Sequence, residues 1–258
     1  MDKIIDAHIH VYPDAKRPLN TISSNEKLAR AIRRYKIDKA IVLPLENEIS
    51  NEFVRDICRD YFDVFIGFAT VNPFCGKKTL PLIDKYIKEY KLRGIKLHPR
   101  HQKFSLNDSR VIVLFKKCAK LKIPVIIDAF PGIDYKTGES IPLIIEKIAA
   151  RIPDVNIVIA HAGGYKVMDA LFAAKNQKNI FLDLSFSLQY FKGSSIENDI
   201  IFAIKKIGAH RCIYGSDFPE VDMGKSLVFI KRFLKDNNFS NRDKEYILGK
   251  TIASLLHL

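Results

Sequence analysis

Short β-branched runs alternate with amphipathic stretches eight times along the chain. Strands are predicted over 4–8, 39–43, 64–70, 94–98, 124–128, 156–161, 180–184 and 212–216. Between and after them, apolar residues recur at three and four, the spacing of a helix. These stretches cover 25–35, 48–61, 79–90, 109–121, 141–151, 165–174, 196–207 and 225–235. Leu82, Ile83, Tyr86 and Ile87 show the period in one of them, and Val111, Leu114, Phe115 and Cys118 in the next. A closing helix is predicted over 241–258.

Strand–helix alternation implies parallel strands joined by crossover helices. Eight such units in 258 residues match a (β/α)8 barrel. A single-domain α/β TIM barrel over 1–258 is therefore expected. An open doubly wound sheet is the competitor, but no glycine-rich phosphate loop follows the first strand. No linker, low-complexity segment or second domain stands out.

In such a barrel the chemistry sits at the carboxyl ends of the strands. Those ends carry His8 and His10, His98, Asp128, His161 and Asp217. Residues two apart on a strand share a face, so His8 and His10 are expected side by side, with Asp6 one step below. Two imidazoles so placed can reach one metal ion. Only seven histidines are present, and four of them fall at these ends, with His101 close behind. Taken singly, each reads more simply as a structural histidine; the set points to a metal site. Asp217, in Tyr214-Gly215-Ser216-Asp217-Phe218-Pro219, is a turn aspartate on the bland reading and a metal ligand or base on the functional one. Lys96 and His98 share a face, and Arg100 suits a two-pronged contact with a substrate carboxylate. Asp128 closes an apolar strand and needs a partner if buried, either a metal or Lys96. Phe130, Tyr165, Phe186, Tyr190 and Phe218 follow strand ends and are candidate pocket walls.

Composition narrows the setting. Hydrophobic residues make up 47% of the chain, enough for a large core, yet no run approaches the roughly 18 apolar residues of a membrane span. There is no signal-peptide pattern at the start, and the four cysteines are scattered without a CxxC pair. A cytoplasmic protein with reduced thiols is expected. The net charge of +13 is spread along helices rather than gathered in a block. It favours a soluble surface or an anionic small-molecule substrate over a nucleic-acid partner. A homo-oligomer is compatible with the sequence.

Together these residues resemble the amidohydrolase-related (amidohydrolase 2) family of metal-dependent TIM barrels, in the branch of aminocarboxymuconate semialdehyde decarboxylase. The marks are Asp6-x-His8-x-His10, Gly94-Ile95-Lys96-Leu97-His98-Pro99, His161-x-Gly163-Gly164, Gly215-Ser216-Asp217-Phe218-Pro219 and Ile247-Leu248-Gly249. The resemblance implies that His8, His10 and Asp217 bind a divalent metal, with zinc expected, and that His161 acts as acid or base. It also marks two departures: Asp128 stands where the family usually has a metal-ligating histidine, and Thr251 where it often has Asn. Asp128 is carried as a fourth candidate ligand, and His98 and Arg100 as substrate contacts. The implied reaction is hydrolysis of a small, anionic acyl substrate by a metal-activated water, with Asp217 or His161 taking the proton. A decarboxylase of the same fold is the alternative. A TatD-like nuclease and a non-catalytic binding protein are further rivals, and no clear glutamate at the fourth strand supports the nuclease.

Overall fold

The computed structural model describes residues 3–13, 24–132 and 140–258, and in it the strands are all parallel. They are β1 (Ile5–Ile9), β2 (Lys39–Val42), β3 (Phe65–Gly67), β4 (Ile95–Leu97), β5 (Val125–Ile127), β6 (Ile157–Ile159), β7 (Ile180–Asp183) and β8 (Cys212–Ile213). Strands β1 to β3 pair in order, as do β4 to β8. Two seams join the sets into a closed barrel. At one, the Ala69 amide donates to Gly94 and the Lys96 amide to Ala69, at 2.9 and 2.7 Å. At the other, Ala7 donates to Tyr214, Asp217 to His8 and His10 to Phe218, at 2.9, 2.8 and 2.6 Å. The expected (β/α)8 barrel is the observed fold.

The helices are α1 (Asn25–Arg34), α2 (Asn51–Asp60), α3 (Thr79–Asp84), α4 (Ser109–Leu121), α5 (Ile141–Arg151), α6 (Val167–Asn176), α7 (Ser187–Tyr190), α8 (Ser195–Ile207), α9 (Met223–Asp236), α10 (Asn241–Glu245) and α11 (Thr251–Leu256). Side-chain caps set several starts: Ser24, Ser50, Asp108 and Asp222 each accept an amide hydrogen from the first turn, and Ser240 and Asp243 form a capping box. Apolar faces such as Leu28 and Ile32 of α1 or Leu114, Phe115 and Cys118 of α4 pack on the outward residues of the strands. Each fully buried aliphatic side chain there contributes roughly 1.5–3 kcal/mol. Inside the barrel, Ile5, Ala7, Ile41, Phe68, Ile126, Val158 and Ile213 form a second core, closed at the floor by Ile252, Leu255 and Leu256 of α11. The polar residues described below lie above this plug. Among the described residues no helix is long and apolar enough to cross a membrane.

Three expectations are corrected. The closing helix over 241–258 is interrupted by a π-helical turn, Tyr246–Lys250, which delivers the Ile247 carbonyl to the Tyr214 amide at 2.8 Å. The sixth strand stops at Ile159, and Ala160–Lys166 forms a tight turn of another kind. Asp6 does not stand below the two histidines, because a bulge between Asp6 and Ile9 breaks the two-residue alternation. Ile5 and Ala7 consequently belong to the inner core and Ile9 to the outer one. Asp6 instead accepts the Ser216 amide at 2.8 Å and the His8 amide at 3.3 Å, tying β1 to the segment after β8.

Two outcomes follow from this packing. A methyl group on Gly249 would sit 2.0 Å from the Lys3 carbonyl oxygen, so Gly249→Ala is expected to lower stability by about 1–3 kcal/mol in urea unfolding. Burial raises the Asp6 carboxyl to about 7 from 3.8, against the pull of its bonds to Ser216 and His8. The folded chain therefore holds this proton more tightly than the unfolded one, and stability contributed by Asp6 falls as pH rises from about 4 to about 7. Asp6→Asn is expected to remove that fall, on the order of 2–4 kcal/mol at most; parallel pH profiles of the two proteins would expose its absence.

Candidate metal centre

The β1 bulge turns His8 and His10 together toward the barrel axis. His8 Nδ1 lies 2.6 Å from Asp183 Oδ2, and His10 Nδ1 lies 2.9 Å from the Leu43 carbonyl. An ionised carboxylate and a carbonyl only accept, so each Nδ1 carries the hydrogen and each Nε2 presents a lone pair. Those two Nε2 atoms are 3.3 Å apart, and Asp217 Oδ1 is 3.3 Å from the first and 3.9 Å from the second. Three acceptors thus converge with no hydrogen between them, which is the donor set of a cation site. Burial lowers the pKa of both histidines, with Lys96 adding to the effect, so both are neutral and able to ligate. The residues fit a divalent ion.

Lys96 is fully buried and places Nζ 3.3 Å from His8 Nε2. Burial pulls its pKa down, while Asp128, Asp183 and Asp217 pull it up.

His161 reaches the cluster from an unusual backbone. Four consecutive residues, His161, Ala162, Gly163 and Gly164, have φ of 56°, 48°, 78° and 60°. Glycine adopts this region freely, but His161 and Ala162 do so at a cost of roughly 1–3 kcal/mol each. The turn sets the His161 ring 4.9 Å from that of His8. One atom each of His8, His161 and Asp217 lies within 4.8 Å of the others. His161 Nδ1 is 3.1 Å from Ser185 Oγ and 3.2 Å from the Ser185 carbonyl, and Nε2 is 3.4 Å from Asp128 Oδ1. Both nitrogens face acceptors, which favours the imidazolium. Burial opposes that charge, but Asp217 and Asp128 outweigh it and raise the His161 pKa.

Asp128 lies between two histidines. His98 Nε2 is 3.5 Å from its Oδ2, opposite the contact with His161. Burial disfavours the Asp128 charge, yet His98, His161 and Lys96 hold its pKa below the usual carboxylate range. His98 Nδ1 accepts the His101 amide at 3.3 Å, and the His98 amide donates to Gln102 at 2.8 Å. Burial pushes His98 down to about 4, so it is neutral. Arg100 is exposed, is in no ion pair among the described residues, and lies over Gly132, where a Cβ would come within 1.7 Å of it. Of the aromatic wall, Phe130 and Phe186 face His161 at 6.0 and 6.2 Å, and Tyr190 stacks on Phe186 at 5.2 Å. Tyr165 is exposed, and Phe218 is buried at the seam with β1.

Asp183 and Ser185 had no place in the sequence reading. Asp183 ends an apolar strand as Asp128 does, the one signal that would have found it. Two cavities of about 870 Å³ on the outer wall and floor share no residue with the cluster.

The match of the amidohydrolase family model to residues 5–258 shows that the chain belongs to that family. No curated protein matches the sequence. An uncharacterized TIM-barrel protein from Bordetella bronchiseptica is 18% identical at a TM-score of 0.85, over 99% of this chain and 98% of that one. A probable 2-pyrone-4,6-dicarboxylic acid hydrolase from Acinetobacter baumannii, with citric acid bound, is 17% identical at 0.73, over 99% and 100%. A dihydroxybenzoic acid decarboxylase from Polaromonas, with bound manganese and 2-nitroresorcinol, is 14% identical at 0.73, over 100% and 98%. At these identities the likeness is one of fold.

The convergence of His8, His10 and Asp217 predicts about one divalent ion per chain by elemental analysis. Asp217→Ala is expected to lower affinity for zinc at least about tenfold. Asp128→Ala should leave it within about threefold, because the Asp128 oxygens face His98 and His161; a loss as large as that of Asp217→Ala would make Asp128 a ligand.

Proposed function

We propose that the chain is a metal-dependent hydrolase of a small, planar, anionic acyl substrate. One observation carries this reading: a carboxylate, Asp217, and a histidine with acceptors at both ring nitrogens, His161, border the same space. Hydrolysis needs a group that takes a proton from water and one that returns a proton to the leaving group. Asp217 suits the first task and His161 the second. Asp128 keeps the proton on His161 Nε2 through their 3.4 Å contact. His8, His10 and Asp217 would hold the divalent ion, zinc being our assignment, which when bound supplies Lewis acidity at a substrate oxygen and makes water acidic near neutrality. Arg100, in no ion pair among the described residues, is assigned to a substrate carboxylate, and His98 to its positioning. Phe130 and Phe186 supply flat walls beside His161. All four thiols are free, in keeping with the cytoplasm.

A second reading, decarboxylation of a planar acid with His161 protonating the carbon, is favoured by those same aromatic walls. The dihydroxybenzoic acid decarboxylase of this fold adds support.

The test offers small lactones, esters, amides and aromatic acids to the metal-loaded protein in ¹⁸O-water. The first reading expects ¹⁸O in the product acid and no carbon dioxide; release of carbon dioxide without ¹⁸O uptake would replace it by the second. His161→Asn is expected to lower kcat by about 10²–10⁴, and Arg100→Ala to act chiefly on KM. Full turnover in excess chelator would overturn both readings.

A further inference from the structure

We infer that Asp183 is a positioning residue: it sets which nitrogen of His8 carries the hydrogen, and so makes His8 a ligand. This deepens the proposed function, resting on its assignment of the ion to His8 Nε2.

Asp183 ends β7, is 2% exposed, and faces three donors among the described residues. Its Oδ1 accepts the Ser185 amide at 2.8 Å. Its Oδ2 accepts the Ser185 hydroxyl at 2.8 Å and His8 Nδ1 at 2.6 Å. Both oxygens are committed as acceptors, so the group cannot rotate away without breaking bonds to Ser185. The backbone amide is a donor in every state, and that pins the orientation. The Ser185 hydroxyl also lies 3.2 Å from His8 Nδ1, but with its hydrogen given to Asp183 it offers that nitrogen no donor, and His8 Nδ1 donates to the nearer Oδ2. Its Nε2 then faces Lys96, His10 and Asp217 as a bare lone pair. Ser185 braces Asp183, and its hydroxyl also stands 3.1 Å from His161 Nδ1.

Asparagine makes the argument testable, since it has nearly the same shape but only one acceptor oxygen. If its NH2 faced the Ser185 amide, two donors would oppose each other in a buried site. It must therefore face His8, which moves the hydrogen to Nε2, into the lone-pair cluster. His10 is an internal control, because its Nδ1 is held by the Leu43 carbonyl just after β2.

The experiment is ¹⁵N-histidine NMR of the full chain, stripped of metal, with zinc affinity measured on the same samples. In the wild type, His8 and His10 are both expected as the Nδ1–H form. In Asp183→Asn, His8 should shift toward Nε2–H while His10 does not, and zinc affinity should fall about 10–100-fold. In Ser185→Ala, which keeps the carboxylate, His8 should remain Nδ1–H. An Nε2–H form of His8 in the wild-type spectrum overturns the inference without any variant. So does an unchanged His8 in Asp183→Asn with zinc affinity unaltered. If Asp183→Asn loses its fold, seen as loss of the His10 signal, the wild-type spectrum still decides. None of these readouts uses turnover, so they stand or fall apart from the assignment of the reaction. Zinc affinity unaffected by Asp183→Asn despite a shifted His8 would remove His8 from the ligand set and overturn the inference.

Discussion

The hydrogen bonds that close the barrel between β1 and the segment after β8 are the constraint on which the site depends. The two strand ends lie near opposite termini of the sequence, and nothing local brings them together. The Ala7, His8 and His10 backbones meet Tyr214, Asp217 and Phe218 along this seam. Because Asp217 donates its amide to the His8 carbonyl, its side chain has no choice but to stand beside the His8 ring. The Asp6 carboxylate adds a side-chain tie to Ser216 across the same seam. The closure that removes a sheet edge is thus also what assembles three ligand-type atoms within about 4 Å.

The barrel's other devices re-aim side chains that a regular strand would point elsewhere. Four of the eleven non-glycine residues with positive φ among the described residues follow β6, β7 and β8: His161, Ala162, Phe186 and Asp217. Such backbone is sparsely populated and persists only where surrounding contacts over-determine it. Here they do: the Ser187 hydroxyl donates to the His161 carbonyl, and the Asp217 amide to His8. The bulge in β1 serves the same end by a different route. It shifts the alternation by one, so that Ile5 and Ala7 fill the barrel and the histidines still reach the axis.

Periodicity made the strands and most of the helices legible, because a two-residue or 3.6-residue repeat is a property of sequence alone. The position of His8, His10, His161 and Asp217 at the strand ends was legible for the same reason. What escaped is where the repeat is broken by tertiary forces. The bulge at Asp6 has no local marker, so the expected stacking of Asp6 under the histidines failed. The π turn at Tyr246–Lys250 gives the Ile247 carbonyl to the Tyr214 amide just past β8, a contact between distant segments that no local repeat encodes. The four-residue α7 is too short to carry a period. Asp183 is not legible in the sequence, because a strand-end aspartate shows its meaning only once His8, on another strand, is beside it.

The charges around the cluster explain why the arrangement can fold at all. Asp128, Asp183 and Asp217 face Lys96 and His161, while His8 and His10 are kept neutral by burial, which leaves the carboxylates in excess by one. Converging lone pairs and an excess of negative charge would repel in a low-dielectric interior. Lys96 meets that repulsion from the fourth strand, with its ammonium against the His8 lone pair. An ion ligated by His8 must share or take that lone pair, so its affinity reflects the displacement of Lys96 as well as the three ligands. That ties the motif of the fourth strand to those of the first and eighth: the lysine fills from below the electrostatic gap that the histidines and aspartate leave open.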